Sequence, residues 1–270
     1  MGIKERRTKI LLSLILLSDV NFDFVPFDDK LQKVFDLTLN QKTKGTLSAL
    51  LKEGLIEKRT ENNVVSVVNT DQNNIPAVAE SVKITSDNVY RLTEKGFHSL
   101  CLKFPFFRFL KEKWDNKWRT LSYEIPEKKR EMRDRLRREV SGWGLGPWHR
   151  SFWLTPHPIT ENLRELVFQK EEEKYIQAFE SDHVVGNLDV LIEKVWQKSM
   201  LDKKYREIFK VWHEILSKDG EKLEKLSIVL NMYVDILKTD PGLPPELMGK
   251  NWIGIEAFSV FKEIRSILLS

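Results

Sequence analysis

Apolar positions at helical spacing open the chain. Ile10, Leu11, Leu14, Leu16 and Leu17 predict a helix over residues 4–18 that is buried on more than one face. Pro26 breaks the pattern. The Asp28–Asp29 pair then suits a helix start, where the backbone dipole favours negative charge, and Leu31, Val34, Phe35 and Leu37 supply its apolar stripe. A third helix is predicted over 42–53, with Leu47, Leu50 and Leu51 inward and Gly54 as C-cap. The period then shortens. Leu55–Arg59 reads as extended chain and Asn88–Leu92 as its return strand. Residues 60–87, rich in Asn, Asp, Val and Thr, read as an extended wing or a partly mobile loop. Thr93 caps a following helix predicted from Thr93 to Lys113, which Pro105 breaks or kinks.

The stretch from Trp114 to Pro156 reads as strand, basic helix, glycine turn and second strand. Met132, Leu136 and Val140, spaced by four, give the helix its apolar stripe. A helix from Thr160 through Phe168 and a strand at Tyr175–Phe179 follow. Strand, helix, strand, helix, strand is a ferredoxin-like order that one further short strand would complete. Beyond it the pattern is helical, with Leu188, Leu191, Ile192, Val195 and Trp196 on one segment. Further helices are predicted over Tyr205–Leu216 and Lys222–Lys238. TDPGLPPELMGKNW interrupts them before a last helix at Trp252–Leu269.

Composition narrows the classes. A chain of 270 residues with 41% apolar positions builds two or three domains. A single cysteine, Cys101, excludes an internal disulfide or a Cys-rich zinc site and suits a reducing cytoplasm. Basic residues ahead of Ile10–Leu17 mimic a signal peptide, but Ser13 interrupts the run and no small-residue cleavage site follows. No apolar run approaches the ~20 residues of a membrane span, so no membrane partner is expected. Charge is uneven. Lys and Arg outnumber Asp and Glu by 11 to 8 over residues 1–60 and by 14 to 7 over residues 103–150, whereas acids lead by 20 to 16 over residues 151–270. Residues 1–60 and 103–150 could meet a polyanion; the C-terminal part would not be drawn to one.

Three helices and a two-stranded ribbon form the order of a winged helix-turn-helix, whose reading helix enters the major groove. Gln41, Lys42, Thr43, Lys44 and Ser48 lie at the start of that helix and on the face away from its leucines. Gln reads adenine, and Lys meets guanine or phosphate. Lys58 and Arg59, at the root of the wing, would contact the backbone. The central helix carries seven basic residues between Lys128 and Arg138, interleaved with acids that pair along it, so it reads as a solvated face. Glu124 ends a strand with Asp115 nine residues before it; a metal-dependent nuclease is the alternative this position raises, without the clustered acids it needs. Gly142, Gly144 and Gly146 follow a helix and precede a strand, the wrong order for a phosphate loop. The five histidines lack metal-ligand spacing, and no hydrolase or nucleotide-binding motif occurs, so no catalytic residue, metal or cofactor is assigned. Trp114, Trp118, Trp143, Trp148 and Trp153 suit core packing and a dimer interface, with a pocket for an aromatic or acyl ligand as the sharper reading.

Nearly the whole chain resembles the PaaX-like transcriptional repressors. The resemblance rests on TLSALLKEGLIEK with YRLTEKG, on the central WDNKWRTLSYEIPEKKREMRDRLRREVSGWGLGPWHRSFWLTP, and on DPGLPPELMGKNW. It implies an α+β multidomain fold: a winged helix-turn-helix over residues 1–100, a helical linker over 101–113, a ferredoxin-like domain similar to the CRISPR-adaptation nuclease over 114–185, and a helical domain over 186–270. It also implies a homodimer on double-stranded operator DNA, released by a small effector such as an acyl- or aryl-coenzyme A thioester. The nuclease-type domain bears an Asp at the strand end where this chain has Glu124, which argues further against catalysis.

Overall fold

The computed structural model describes residues 5–59, 88–249 and 251–270. Contacts gather these into two compact units, residues 5–96 and 97–270. The expected wing over 60–87 lies outside the described residues.

In the first unit, α1 (Arg6–Leu17), α2 (Asp29–Val34) and α3 (Gln41–Lys52) surround a small sheet. α1 buries Ile10, Leu12, Leu14, Ile15 and Leu16, so it forms the centre of the unit and packs on α3. Side-chain caps fix the next two helix starts. Asp28 accepts from Leu31 N at 2.8 Å, and Asn40 accepts from Thr43 N at 3.0 Å. β2 (Ile56–Lys58) and β3 (Val89–Leu92) pair antiparallel, as the alternation predicts. A third strand, β1 (Val25–Pro26), pairs on the other side of β3. Pro26 tolerates this edge position because an edge residue need not donate to the ladder. The LTEKG string has a structural cause. The Thr93 hydroxyl donates to Gly54 O at 2.7 Å and accepts from Gly96 N, capping α4 (Glu94–Cys101). A Cβ on Gly96 would lie 2.0 Å from Leu55 O, so only glycine fits.

The second unit begins at Phe97, within α4. The predicted Thr93–Lys113 helix breaks there: α4 stops at Cys101, a 3-10 turn spans Pro105–Phe107, and α5 (Arg108–Lys111) follows. Then come β4 (Trp118–Tyr123), α6 (Arg130–Gly142), β5 (Gly146–His149), β6 (Phe152–Thr155), α7 (Thr160–Val167) and β7 (Ile176–Ser181). The sheet order is β5-β6-β4-β7, antiparallel throughout. This is the β-α-β-β-α-β ferredoxin-like arrangement. The missing short strand is found: the predicted second strand is a hairpin, β5 with β6, bulged between Pro147 and His149. Leu121, Tyr123, Trp153 and Ile176 from the sheet meet Leu136, Val140 and Leu163 from α6 and α7.

The remaining helices are α8 (Leu188–Trp196), α9 (Lys198–Ser217), α10 (Lys222–Leu237), α11 (Pro245–Met248) and α12 (Ile253–Leu269). Gln197, with φ at 51°, separates α8 from α9. α9, α10 and α12 pack around an aromatic centre: Tyr233 stacks on Phe261 at 4.9 Å and meets Trp212 edge-on at 5.6 Å. The DPGLPP string lies in the interior of this unit. Asp240 accepts from the Tyr205 hydroxyl at 2.6 Å and from Gly242 N at 2.7 Å. His157 of the central domain donates from Nε2 to Pro241 O at 2.7 Å. Gly242 adopts φ of +61°, and a Cβ there would lie 2.2 Å from the Pro105 carbonyl carbon. The string therefore joins the linker turn, the central sheet and the C-terminal helices.

Candidate nucleic-acid interface

The cap at Asn40 leaves the first turn of α3 facing outward. Gln41, Lys42, Lys44 and Ser48 are all exposed. Gln41, Lys44 and Ser48 recur at three- and four-residue spacing and so share one stripe. Lys42 stands beside them on the first turn. Among the described residues the amines of Lys42 and Lys44 form no ion pair. Positive side chains at a helix N-terminus add to the dipole there, and the combination favours an anion.

Thr43 is not presented with them. It is fully buried, and its hydroxyl donates to Thr38 O at 2.6 Å. It anchors the turn that feeds α3, so it holds Gln41, Lys42 and Lys44 in place and has no free surface of its own. Lys58 and Arg59 are exposed, but successive strand residues point to opposite faces. They therefore cannot share one side of the ribbon. The Arg59 guanidinium lies over the Phe24 ring, 4.9 Å from its centroid.

The basic central helix is different. Arg133 pairs with Glu127 at 2.6 Å, Arg130 with Asp134 at 3.5 Å, Lys129 with Glu171 and Arg135 with Glu172. Arg137 donates to the Tyr123 hydroxyl at 2.6 Å and to Arg150 O at 2.9 Å. Of the seven cations between Lys128 and Arg138, Lys128 and Arg138 keep their charges exposed without an ion pair among the described residues.

Glu124 is exposed just past β4, and its backbone N–H donates to Tyr175 O at 2.9 Å. Asp115 is committed elsewhere. It accepts from the buried Arg119 at 2.8 Å, and that guanidinium holds its carboxyl below the usual range. Among the described residues no group of three or more His, Cys, Asp or Glu is placed to hold a metal ion. Burial drives the His157 imidazole down to about 3, so it stays neutral as a tie to Pro241. The tryptophans are occupied too. Trp143 and Trp153 belong to the core, Trp118 stacks on Trp196, and Lys194 sits 3.6 Å over Trp148. A cleft of about 330 Å³ in the central domain is lined by Leu136, Leu166 and Val167 together with Arg135, Glu139, Lys170 and the buried Glu172.

Two family models match. Residues 111–190 match the PaaX protein central Cas2-like domain, and residues 196–270 match the PaaX-like protein C-terminal domain. The chain belongs to the PaaX-like family. Among solved structures it is similar to the uncharacterized protein Rv0674 from Mycobacterium tuberculosis, with a TM-score of 0.50 and 14% identity over 96% of this chain and 94% of that one. That likeness speaks to the fold. No curated protein matches the chain. No helix among the described residues is long and apolar enough to cross a membrane.

Sequence reasoning assigned no role to Asp240 and Tyr205 and gave His157 only a surface or packing role. Their signal was present in the proline-rich string, but its partners lie 35 and 84 residues away along the chain, beyond any local pattern.

Proposed function

We propose that this PaaX-like protein is a dimeric cytoplasmic transcriptional regulator, a repressor whose residues 5–96 act as a winged helix-turn-helix reader of operator DNA. One observation carries the reading: Gln41, Lys42, Lys44 and Ser48 stand exposed around the first turns of α3, with the two amines unpaired among the described residues. Such a helix start reads base edges with its polar residues while its cations meet phosphates. Arg59 supplies a backbone contact from the ribbon, and Lys58, on the opposite face, does not share it. Replacing Lys42 and Lys44 together with Ala tests it; unchanged affinity for duplex DNA and an unchanged salt slope would remove α3 from the interface.

The dimer has support in the central sheet. β7 is an edge strand, and Phe179 is exposed on the face turned away from α6 and α7. Val184 and Val185 follow it, 89% and 88% exposed. An apolar patch beside an open strand edge is a surface that a partner covers. Sedimentation of Phe179→Lys as a monomer, against a dimeric parent, is the expected outcome. The small effector finds apolar lining and a cation in the α6–α7 cleft, where Arg135 is held by Glu172 until an acidic ligand replaces it.

A further inference from the structure

We propose that Phe24, Glu57, Arg59 and Arg91 form a phosphate clamp on the outer face of the N-terminal sheet, with Phe24 orienting Arg59 for the DNA backbone and Glu57 holding Arg91 in reserve. The proposal rests on the DNA-binding reading and deepens it.

The sheet register places these groups together. Glu57 pairs with Arg91 across β2 and β3, and Arg59 follows two residues later on the same face. Arg59 N donates to Val89 O at 2.9 Å, which fixes its backbone beside β3. Phe24 precedes the Val25–Tyr90 pair by one residue and so reaches the same face from β1. Its neighbour in type, Phe27, does the ordinary work of a core aromatic: it is buried and meets Tyr90 edge-on at 6.3 Å. Phe24 is only half-buried. It carries two guanidinium groups, Arg59 at 4.9 Å and Arg91 at 4.8 Å from the ring centroid.

Two like charges beside one ring repel unless one is neutralised. Glu57 does this for Arg91, accepting from its Nε at 2.7 Å and pairing with its NH2 at 2.5 Å. Arg59 forms no ion pair among the described residues. The cluster thus holds one spent cation and one available cation. A guanidinium held over an aromatic face loses freedom before it binds, while its N–H edges stay open for the paired hydrogen bonds that phosphate accepts. Ring, acid and both arginines would be an ordinary surface packing motif if Arg59 were paired as Arg91 is; its lack of an ion pair among the described residues is what leaves the cluster open to a ligand.

Binding of mixed-sequence duplex DNA is measured over a range of salt, with thermal melting recorded for each variant to confirm that it is folded. Arg59→Ala is expected to lower the salt slope by about one unit. Phe24→Leu should weaken binding about two- to fivefold, Phe24→Tyr should restore it, and Phe24→Leu combined with Arg59→Ala should be no worse than Arg59→Ala alone. Glu57→Gln should tighten binding and raise the slope by about one unit by releasing Arg91. A merely structural cluster would show none of this gain. Inorganic phosphate should compete no better than chloride at equal ionic strength; specific competition would mean that a free phosphate is the ligand and would overturn the assignment to the backbone. Loss on Arg59→Ala that is additive with Phe24→Leu, or no gain on Glu57→Gln, overturns the clamp and leaves the DNA reading standing. A parent protein that binds no duplex overturns both.

Discussion

α3 and α6 are both basic helices, and they treat their charges in opposite ways. α6 carries more cations, yet Arg130, Arg133 and Arg135 face carboxylates, and Arg137 is tied to Tyr123 and Arg150. α3 carries fewer, and Lys42 and Lys44 near its start face solvent without an ion pair among the described residues. An excess of positive charge is therefore a poor guide to where a polyanion would bind; the count of cations left unpaired is a better one. The same contrast extends to the units around them. Residues 97–270 spend their tryptophans, their buried histidine and their proline-rich string on internal contacts, whereas residues 5–96 leave polar and cationic groups at the surface.

The largest effect that would test this contrast lies in the internally committed unit. Gly242→Ala puts a Cβ into the Pro105 backbone at a left-handed φ, and should destabilise residues 97–270 by about 3 kcal/mol or more, read by chemical denaturation. An unchanged midpoint would show that the string is not the junction described.

Asp240→Asn comes next. Burial, opposed by the bonds from Tyr205 and Gly242, lifts the Asp240 carboxyl from 3.8 to about 6. The folded state thus holds the proton more tightly than the unfolded chain. The linked stability is fully present below about pH 4 and is lost as pH rises through about 6, amounting to roughly 3 kcal/mol. The Asn variant should lose that slope while the parent keeps it; parallel pH curves for the two proteins would refute the assignment.

At the proposed reader α3, Lys42→Ala with Lys44→Ala should weaken duplex binding roughly tenfold or more and lower the salt slope by about two units. The smallest effect is expected on α6 and the turn before it. Lys128→Ala with Arg138→Ala should change affinity less than about twofold in the same titration. A loss on α6 that equals the loss on α3 would erase the distinction between the two helices.

Much of this architecture could be read in advance, and the misses have physical causes. The helices of both units followed their apolar period, and α3 followed from its leucines, whereas its cap at Asn40 came only with the structure. β1 escaped notice because two residues carry no alternation and one of them is Pro26. The β5–β6 hairpin escaped because its turn lacks the usual glycine pair and its strands are bulged at Pro147. Thr43 was placed with the reading residues by its position on the helix, but its hydroxyl is more useful to Thr38 than to a ligand. Phe24 gave no signal, since one of three phenylalanines around Pro26 says nothing about which arginines will reach it.

The amino-acid sequence alone determined the order of elements, the unequal distribution of charge, and the resemblance to the PaaX-like family, because periodicity, capping residues and a rare proline-rich string are local properties. Only the tertiary structure decided which charges remain available. Pairing of Arg135 with Glu172, of Arg91 with Glu57, and of His157 with Pro241 joins residues far apart along the chain, and whether a cation is spent or free depends on such long-range partners.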